Sequence, residues 1–296
     1  MSTQQSIGVI GGSGLYELEG LRDLERVRLD TPFGAPSDEY LVGRLGETRL
    51  VFLPRHGRGH RILPHEVNSR ANIHGMKQLG VERILAVSAV GSLREELRPG
   101  DLVIVDQYVD RTRTRPSSFF GDGAAGHVAF ADPVCPRLSH WLADAAAEAV
   151  LAGAGSARVH PRGTYVCIEG PQFSTRAESL IYRAAGNGLI DIIGMTALPE
   201  AKLAREAEIC YATLALVTDY DCWHESEEAV TVEAVVATLK KNVALAREVV
   251  RRTVLAVNGA RECACASAAR GALMTDPAAI PPETRARLDL IVGRYL

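Results

Sequence analysis

Apolar runs alternate with helix-like patterns along most of the chain. The runs that predict strands lie at residues 6–10, 49–53, 83–88, 102–108, 164–168, 189–193 and 209–217. The patterns that predict helices lie at residues 67–79, 138–151 and 176–185, from about residue 199, and along a valine-rich stripe from Val232 to Val250. This alternation predicts an α/β fold with a mixed central β-sheet flanked by helices. Ligands of such folds bind where loops leave the carboxyl ends of strands.

The pattern changes near the C-terminus. Residues 1–258 are predicted to form one domain, because neither an internal repeat nor a block of charge interrupts them. Residues 259–279 are rich in small side chains, and a short amphipathic segment follows, with Leu288, Ile291, Val292 and Tyr295 on one face. Residues 259–296 are therefore predicted to be a tail with a short helix that docks on the body or on a neighbouring subunit.

Composition narrows the class of protein. The 296 residues include 33 Lys and Arg against 36 Asp and Glu, a formal net charge of −3. A nucleic-acid or anionic-membrane binder would show a basic excess, so neither partner is expected. The sequence contains no apolar run long enough to cross a membrane, and it begins without the basic and apolar regions of a signal peptide. A cytoplasmic protein is the expectation.

The six cysteines form no familiar motif. Cys135, Cys167, Cys210 and Cys222 stand singly among apolar neighbours, which is typical of buried free thiols. The pair Cys263-Ala264-Cys265 is too tight for the usual zinc spacing, and the sequence supplies no second pair. Two surface thiols and a redox-active pair both remain open.

Three short segments at predicted strand ends could together bind phosphate. Gly11-Gly12-Ser13-Gly14 allows close approach of the backbone to an anion, but its spacing fits neither a dinucleotide fingerprint nor a P-loop. Arg55-His56 offers donors, and Ser88-Ala89 offers a hydroxyl beside backbone N–H groups. The alternatives are a ligand-free turn and a solvated basic loop. Zinc binding by His56 and His60 is disfavoured, because intervening glycines argue against a helix.

A fourth segment could supply an acid. Thr218-Asp219-Tyr220-Asp221 follows an apolar strand, and a carboxyl buried there against a heterocycle would have a raised pKa and could donate a proton. A helix cap or a surface ion pair is the alternative. Phe173 and Ser174 could form the wall of a base pocket, and Met195-Thr196 follows another predicted strand.

In this order, the segments resemble the purine nucleoside phosphorylase superfamily, and within it the enzymes that act on 5′-methylthioadenosine. The resemblance runs from about residue 6 to residue 250. It rests on Gly11–Leu15, Thr31–Gly34, Arg55–Gly57, Gly91–Glu96, Ile168–Pro171, Gly194–Thr196 and Thr218–Trp223. It implies that phosphate attacks C1′ of methylthioadenosine, giving adenine and 5-methylthioribose 1-phosphate for methionine and purine salvage. Inorganic phosphate is then a co-substrate, and neither a metal nor an organic cofactor is implied.

The resemblance also implies a role for each site residue. The implied phosphate ligands are Ser13, Arg55, His56, Ser88, Ala89 and Thr196. The implied purine and ribose contacts are Ile168, Phe173, Ser174 and Met195, with Asp219 as general acid to the purine and Asp221 at its 6-amino group. The methylthio pocket would be formed by His127, Val232 and Val236, with His127 supplied by a neighbouring subunit of a homotrimer or of a hexamer built as a dimer of trimers.

Asp219 bears on the choice of purine. A carboxylate accepts a hydrogen bond from a 6-amino group and repels a 6-oxo oxygen, so adenine is favoured. Cleavage of methylthioinosine or another 6-oxopurine nucleoside is the alternative, and a non-catalytic nucleoside-binding protein is a more distant one. The Cys263/Cys265 pair resembles one in heat-stable archaeal members that form disulfides, which implies an oxidative link with Cys135 and Cys210.

Overall fold

A computed structural model describes residues 5–153, 157–185, 188–224 and 232–296. Within it lie eleven strands: β1 (Ser6–Gly11), β2 (Arg22–Val27), β3 (Tyr40–Leu45), β4 (Thr48–Pro54), β5 (Arg83–Ser92), β6 (Leu102–Val105), β7 (Gln107–Arg111), β8 (Val159–His160), β9 (Thr164–Ile168), β10 (Ile192–Gly194) and β11 (Cys210–Asp219). The α-helices in this part of the chain are α1 (Ser69–Gln78), α2 (Pro136–Leu151), α3 (Arg176–Ala185), α4 (Glu200–Glu206), α5 (Val232–Ala256) and α6 (Pro282–Val292). The predicted α/β fold with a mixed central sheet is confirmed.

The sheet is built around β5. Its strand order is β2-β3-β4-β1-β5-β10-β9-β7, and β11 also pairs with β5 and continues to β6 and β8. The four central strands β4, β1, β5 and β11 run parallel to one another, whereas β10 runs antiparallel to the end of β5. Strand β5 therefore has β11 along one side, and on the other side it changes partner from β1 to β10.

Side chains of the central strands alternate between two buried layers. On β11, Tyr211, Ala215 and Val217 lie in the core that includes residues of α1, α4 and α6. Ala212 and Leu214 point the opposite way, into the core that contains residues of α2 and α5. Because helices cover both faces, these strands appear in the sequence as continuous apolar runs.

The structure differs from the prediction in several places. Strand β2 was not predicted, because Arg22–Val27 is charged and mostly exposed at the sheet edge. Strand β3 was missed although it is mostly buried, because Gly43 and Arg44 interrupt its apolar run. The predicted strand 102–108 is two strands, since β6 pairs with β11 and β7 pairs with β9. Strand β5 continues four residues beyond the predicted end at residue 88, because β11 and β10 pair with that extension.

The C-terminal segment packs on the body of the same chain. Ile280, Leu288 and Ile291 are buried in the larger core beside residues of α1. The division of the chain at residues 258 and 259 stays a prediction. Across the described ranges, none of the helices combines the length and the apolar character that crossing a membrane requires.

Candidate active site

A break in the sheet creates the site. The last residue pair between β1 and β5 is Ile10 with Ala86, and the first between β10 and β5 is Ile193 with Gly91. Residues 87–90 of β5 therefore have no strand partner on that side within the described part of the chain. Unpaired backbone groups at such a position can bind an anion. The predicted strand ended at Ser88 with Ala89 beyond it, whereas both residues lie inside β5, at this break.

Arg55 joins the strand ends at the break. Its backbone N–H donates to the Gly11 carbonyl at 3.0 Å, and its Nη1 donates to the Val87 carbonyl at 3.1 Å. The guanidinium also forms a two-point ion pair with Glu200 of α4, with Nε–Oε2 and Nη2–Oε1 distances of 2.9 and 3.0 Å. Because Nη2 reaches the Ile10 carbonyl as well, at 3.4 Å, four of the five N–H groups of Arg55 are used.

The Arg55–Glu200 pair is buried, with side-chain exposures of 5% and 1%. Burial disfavours the charge on Arg55, but the Glu200 carboxylate outweighs it and raises the pKa of Arg55 above its ordinary value. Tyr211 donates a further hydrogen bond to Glu200 Oε1 at 2.7 Å. Arg55 therefore stays charged, with one N–H left on Nη1, and its two-point contact is made with Glu200.

His56 lies beside this pair as a neutral ring. Burial, together with the charge of Arg55, lowers its pKa to about 4. Its Nδ1 lies 2.9 Å from the Ile62 carbonyl, which requires the proton to be on Nδ1 and leaves Nε2 as an acceptor. The imidazole stacks on His60 with a centroid distance of 4.4 Å. The donor expected from this side chain is therefore already used within the loop.

Hydroxyl groups line the other side of the break. Ser88 Oγ lies 2.7 Å from Thr196 Oγ1, and Thr196 follows β10 by two residues. Tyr165 of β9 lies 3.4 Å from both hydroxyls and accepts from the Thr196 N–H at 3.2 Å. The fold thus brings together Ser88 and Thr196, two implied phosphate ligands from distant segments of sequence. Ser13 lies in the short turn Ser13–Tyr16 after β1, and its side chain is outside the described set.

Asp219 is the last residue of β11 and lies next to the same stretch of β5. Its Oδ2 accepts from the Thr218 hydroxyl at 2.7 Å, and its Oδ1 accepts from the Asp221 N–H at 2.8 Å. Burial raises the pKa of Asp219, and these two hydrogen bonds only partly oppose the shift. A Cβ on the paired residue, Gly91, would lie 2.9 Å from Asp219 Oδ1, so glycine is what permits this approach.

Asp221 is the second buried carboxyl. Its backbone has a φ of 51°, a left-handed conformation that aspartate tolerates better than most residues. Burial raises its pKa, the Ser179 hydroxyl opposes the shift, and the charge of Asp219 adds to it. Its Oδ2 lacks a well-formed hydrogen bond to any described residue. Two neighbouring carboxyls with raised pKa values are typical of sites that transfer protons.

The residues expected to contact the purine and ribose differ in how closely they are tied to the segment that contains Asp219 and Asp221. Cys222 donates to the Ser174 carbonyl at 3.2 Å, which fixes Ser174 beside the carboxyl segment, and the Ser174 hydroxyl is buried with no partner among described atoms. Ile168 packs against the small cluster that contains Trp223. Phe173 is 44% exposed, so its ring is available to a ligand.

Met195 is held by a residue that the sequence analysis missed. Arg115 donates through Nη1 to the carbonyls of Met195 and Leu198, at 2.7 and 2.8 Å, and through Nη2 to Ile168 at 3.2 Å. A Cβ at Gly170, whose φ is 67°, would lie 2.5 Å from the Met195 sulfur. Arg115 therefore fixes the loops after β9 and β10 against each other. Its only signal in the sequence is a basic residue inside an irregular Gly, Ser and Pro-rich segment.

Two of the three residues expected at the methylthio pocket are exposed on this chain. His127 is exposed, and its backbone N–H donates to the Ala272 carbonyl at 2.8 Å, next to the C-terminal segment. Val236 of α5 is 39% exposed. The side chain of Val232 lies outside the described set.

A buried cation and a group of hydroxyls thus adjoin two carboxyls with raised pKa values. The sheet and this arrangement of groups are suited to an α/β enzyme that acts on an anion beside a group that needs a proton. Residues 6–255 match the model of the "Phosphorylase superfamily". The chain belongs to this superfamily.

Relatives and solved structures match most or nearly all of the chain. It is 60% identical over 294 residues to the S-methyl-5′-thioadenosine phosphorylase of Geobacter sulfurreducens, covering 99% of this chain and 100% of the relative. A crystal structure of methylthioadenosine phosphorylase from an Antarctic soil metagenomic library superposes with a TM-score of 0.90 at 48% identity, covering 98% and 99% of the two chains. A mutant of the Schistosoma mansoni adenosine/methylthioadenosine phosphorylase, in complex with methylthioadenosine, superposes with a TM-score of 0.75 at 39% identity, covering 86% and 93%.

The hydroxyl pair at the break leads to a first prediction. Ser88→Ala and Thr196→Ala should each raise KM for phosphate by about 10- to 100-fold, because a hydrogen bond to a charged group contributes about 1.5–3 kcal/mol. KM for the nucleoside should change much less. Thr213→Val is the matched control, since Thr213 is a buried threonine whose hydroxyl bonds to Tyr108 at 2.8 Å, within the sheet. An unchanged KM for phosphate in both alanine variants would remove these hydroxyls from the anion site.

Proposed function

We propose that this enzyme catalyses the phosphorolysis of 5′-methylthioadenosine to adenine and 5-methylthioribose 1-phosphate. The strongest support is the 60% identity, over nearly every residue of both chains, to a relative named for this activity. The site is consistent with it, because a region suited to an anion adjoins a carboxyl with a raised pKa. The reaction would serve purine salvage through adenine and methionine salvage through the methylthioribose carbon skeleton.

Phosphate is proposed to bind at the break beside β5. Ser88, Thr196 and the Ala89 backbone would donate to it, together with the remaining N–H of Arg55 and the turn that contains Ser13. His56 would shape the loop and accept a hydrogen bond from a protonated phosphate oxygen through Nε2. The fixed anion would stabilise the positive charge that develops on the sugar in an oxocarbenium-like transition state.

Asp219 is proposed as the general acid. The leaving adenine gains negative charge as the glycosidic bond breaks, and a protonated carboxyl near N7 would neutralise it. The raised pKa of Asp219 keeps part of the enzyme protonated at a pH where an exposed aspartate would be fully ionised. Asp221 would accept from the 6-amino group, with Ser174, Phe173, Ile168 and Met195 around the base and ribose.

The methylthio pocket is proposed to form between subunits. His127 is exposed on the chain that contributes it and Val236 is partly exposed, so a neighbouring copy could bring the two together with Val232. A homotrimer, or a dimer of trimers, would provide this contact. We also propose that the enzyme works in the cytoplasm, with small molecules as its ligands and with inorganic phosphate in place of a catalytic cofactor.

A direct assay tests the proposal. The purified protein is given methylthioadenosine, adenosine or methylthioinosine, each with and without phosphate, and the released base is identified by chromatography. We expect phosphate-dependent release of adenine, fastest from methylthioadenosine. Release of hypoxanthine alone would favour the 6-oxopurine alternative and contradict the role given to Asp219. Absence of turnover with all three nucleosides would favour a nucleoside-binding protein.

A further inference from the structure

Four cysteines that are distant in sequence meet at one point in the fold. Cys135 precedes α2, Cys210 is the first residue of β11, and Cys263 and Cys265 flank Ala264 in the C-terminal segment. Their four sulfur atoms all lie within 4.8 Å of one another. All four are free thiols, and the sulfurs of Cys210 and Cys263 are 3.3 Å apart. The second pair of ligands, absent as a motif from the sequence, is thus supplied by the fold.

We propose that this cluster binds one zinc ion as a structural site with four cysteine ligands. With Zn–S bonds of about 2.3 Å, the sulfurs of a tetrahedral site lie about 3.8 Å apart, so small side-chain movements would fit these four to the ion. Binding converts four thiols to thiolates and releases four protons, because the thiolate is the ligand. The ion keeps its oxidation state, so the step needs neither an oxidant nor a reductant.

The chemistry of the donors selects this type of ion. All four are sulfurs, which suit zinc and other thiophilic ions, whereas Mg²⁺ and Ca²⁺ require oxygen ligands. Cys135, Cys210 and Cys265 are buried in the core beneath α2 and α5, and only Cys263 is partly exposed. Four protein ligands leave no open position for water or substrate, which is typical of structural zinc and not of catalytic zinc.

The position in the sheet also separates the cluster from the active site. Cys210 begins β11 and Asp219 ends it. Nine residue steps of a strand span about 30 Å. A metal bound at Cys210 therefore cannot touch a substrate at Asp219, and its effect would be on stability.

The segment that contains the cysteine pair is held in place before any metal binds. Arg83, which is 3% exposed, donates to the Gly259 carbonyl at 3.1 Å. Arg137 in the first turn of α2 forms an ion pair with Glu262 at 2.7 Å. These contacts fix residues 259–262, just ahead of Cys263. The four cysteines are therefore largely in position before a metal ion binds. A bound zinc would then link this segment covalently to α2 and β11.

The test uses the full-length protein purified with reductant and without chelator. We expect about one zinc per chain by elemental analysis, and thiolate-to-cobalt absorption with the visible bands of a tetrahedral site after exchange with Co²⁺. Cys210→Ser and Cys265→Ser should lower the zinc content at least about tenfold. Cys167→Ser is the matched control, because Cys167 is fully buried but lies outside the cluster, and it should keep the metal.

Two further measurements do not depend on variants. Removal of zinc from the wild-type protein should lower the thermal midpoint by more than about 5 °C and expose four additional thiols to Ellman's reagent. Wild-type protein with less than about a tenth of a zinc per chain and no tetrahedral cobalt spectrum would overturn the proposal. So would an intact mass lacking two hydrogens for each of two disulfides under these reducing conditions, since oxidised sulfurs cannot bind the ion.

Discussion

Glu200→Gln should destabilise the protein by about 3–5 kcal/mol, because removing one partner of a buried ion pair leaves the other charge uncompensated. Arg55 is 4% exposed, and its remaining contacts are carbonyl groups of β1 and β5. Those carbonyls offer dipoles but no full negative charge. Urea unfolding of wild type and variant at one pH measures the difference. KM for phosphate should also rise, because the guanidinium loses the carboxylate that orients it.

Glu206→Gln is the matched control on the same helix. Glu206 is also buried, but its hydrogen-bond partners are the Ser118 hydroxyl and the Phe119 N–H, which are neutral. Burial raises the pKa of Glu206 to about 6. Because both hydrogen-bond partners are neutral, removing the charge of Glu206 leaves no hydrogen-bonded cation without its partner. The expected cost is about 1 kcal/mol.

A double variant separates the cost of leaving Arg55 without its counter-ion from the cost of lost packing. Arg55→Met with Glu200→Gln removes both charges, so its destabilisation should be smaller than the sum of the two single effects. Additive effects, or a cost of less than about 1 kcal/mol for Glu200→Gln alone, would show that Arg55 does not depend on this carboxylate.

The sequence predicted most of the fold because the central strands are apolar on both faces. Strands such as β1 and β9 were predicted within a residue of their observed bounds. The edge strand β2 was missed because its charged, exposed residues have no periodic apolar signal. For the site, the sequence indicated Arg55, Ser88, Thr196 and Asp219, since each lies at or just after the end of a predicted strand.

The rest of the site depends on long-range packing, which a single sequence does not encode locally. Glu200 looks like an ordinary first-turn acid of α4, and only the fold brings it to Arg55, 145 residues away. Arg115 bonds to carbonyl groups, which have no sequence signature at all. The change of partner along β5 is likewise a property of the sheet, because it depends on where β1 ends and where β10 begins.

Asp219→Asn should lower kcat/KM for methylthioadenosine by about 10²–10⁴-fold, the usual loss when a positioned proton donor is removed. The side chain is nearly isosteric, and the hydrogen bonds around it can be kept. Asn Oδ1 can accept from the Asp221 N–H, while its amide donates to the Thr218 hydroxyl, which can in turn donate to the Val90 carbonyl at 3.2 Å. Preference should move from adenine toward hypoxanthine nucleosides, because an amide can donate to a 6-oxo oxygen.

The same variant should be more stable than wild type at alkaline pH. The folded pKa of Asp219 lies above its ordinary value of 3.8, so the folded state holds a proton that the unfolded state has lost. The proton on Asp219 therefore stabilises the folded state fully below pH 3.8. This stabilisation is lost as the pH rises through the raised pKa of the folded state. Asparagine does not titrate, so Asp219→Asn loses no stability over this pH range. The difference in unfolding free energy between the variant and wild type should therefore increase as the pH rises through the folded pKa.

Unfolding free energies of both proteins, measured from acid to alkaline pH beside the activity assay, test the two effects together. Asp30→Asn is the control, because Asp30 is an exposed aspartate outside the site, and it should change neither activity nor the pH dependence of stability. Full activity in Asp219→Asn would refute the general-acid role. A stability gap of opposite sign would mean that Asp219 is stabilised as a carboxylate, and proton donation at neutral pH would then have to come from Asp221. We expect the variant to lose activity and to gain stability. This combination is typical of a carboxyl that serves proton transfer and lowers the stability of the folded protein.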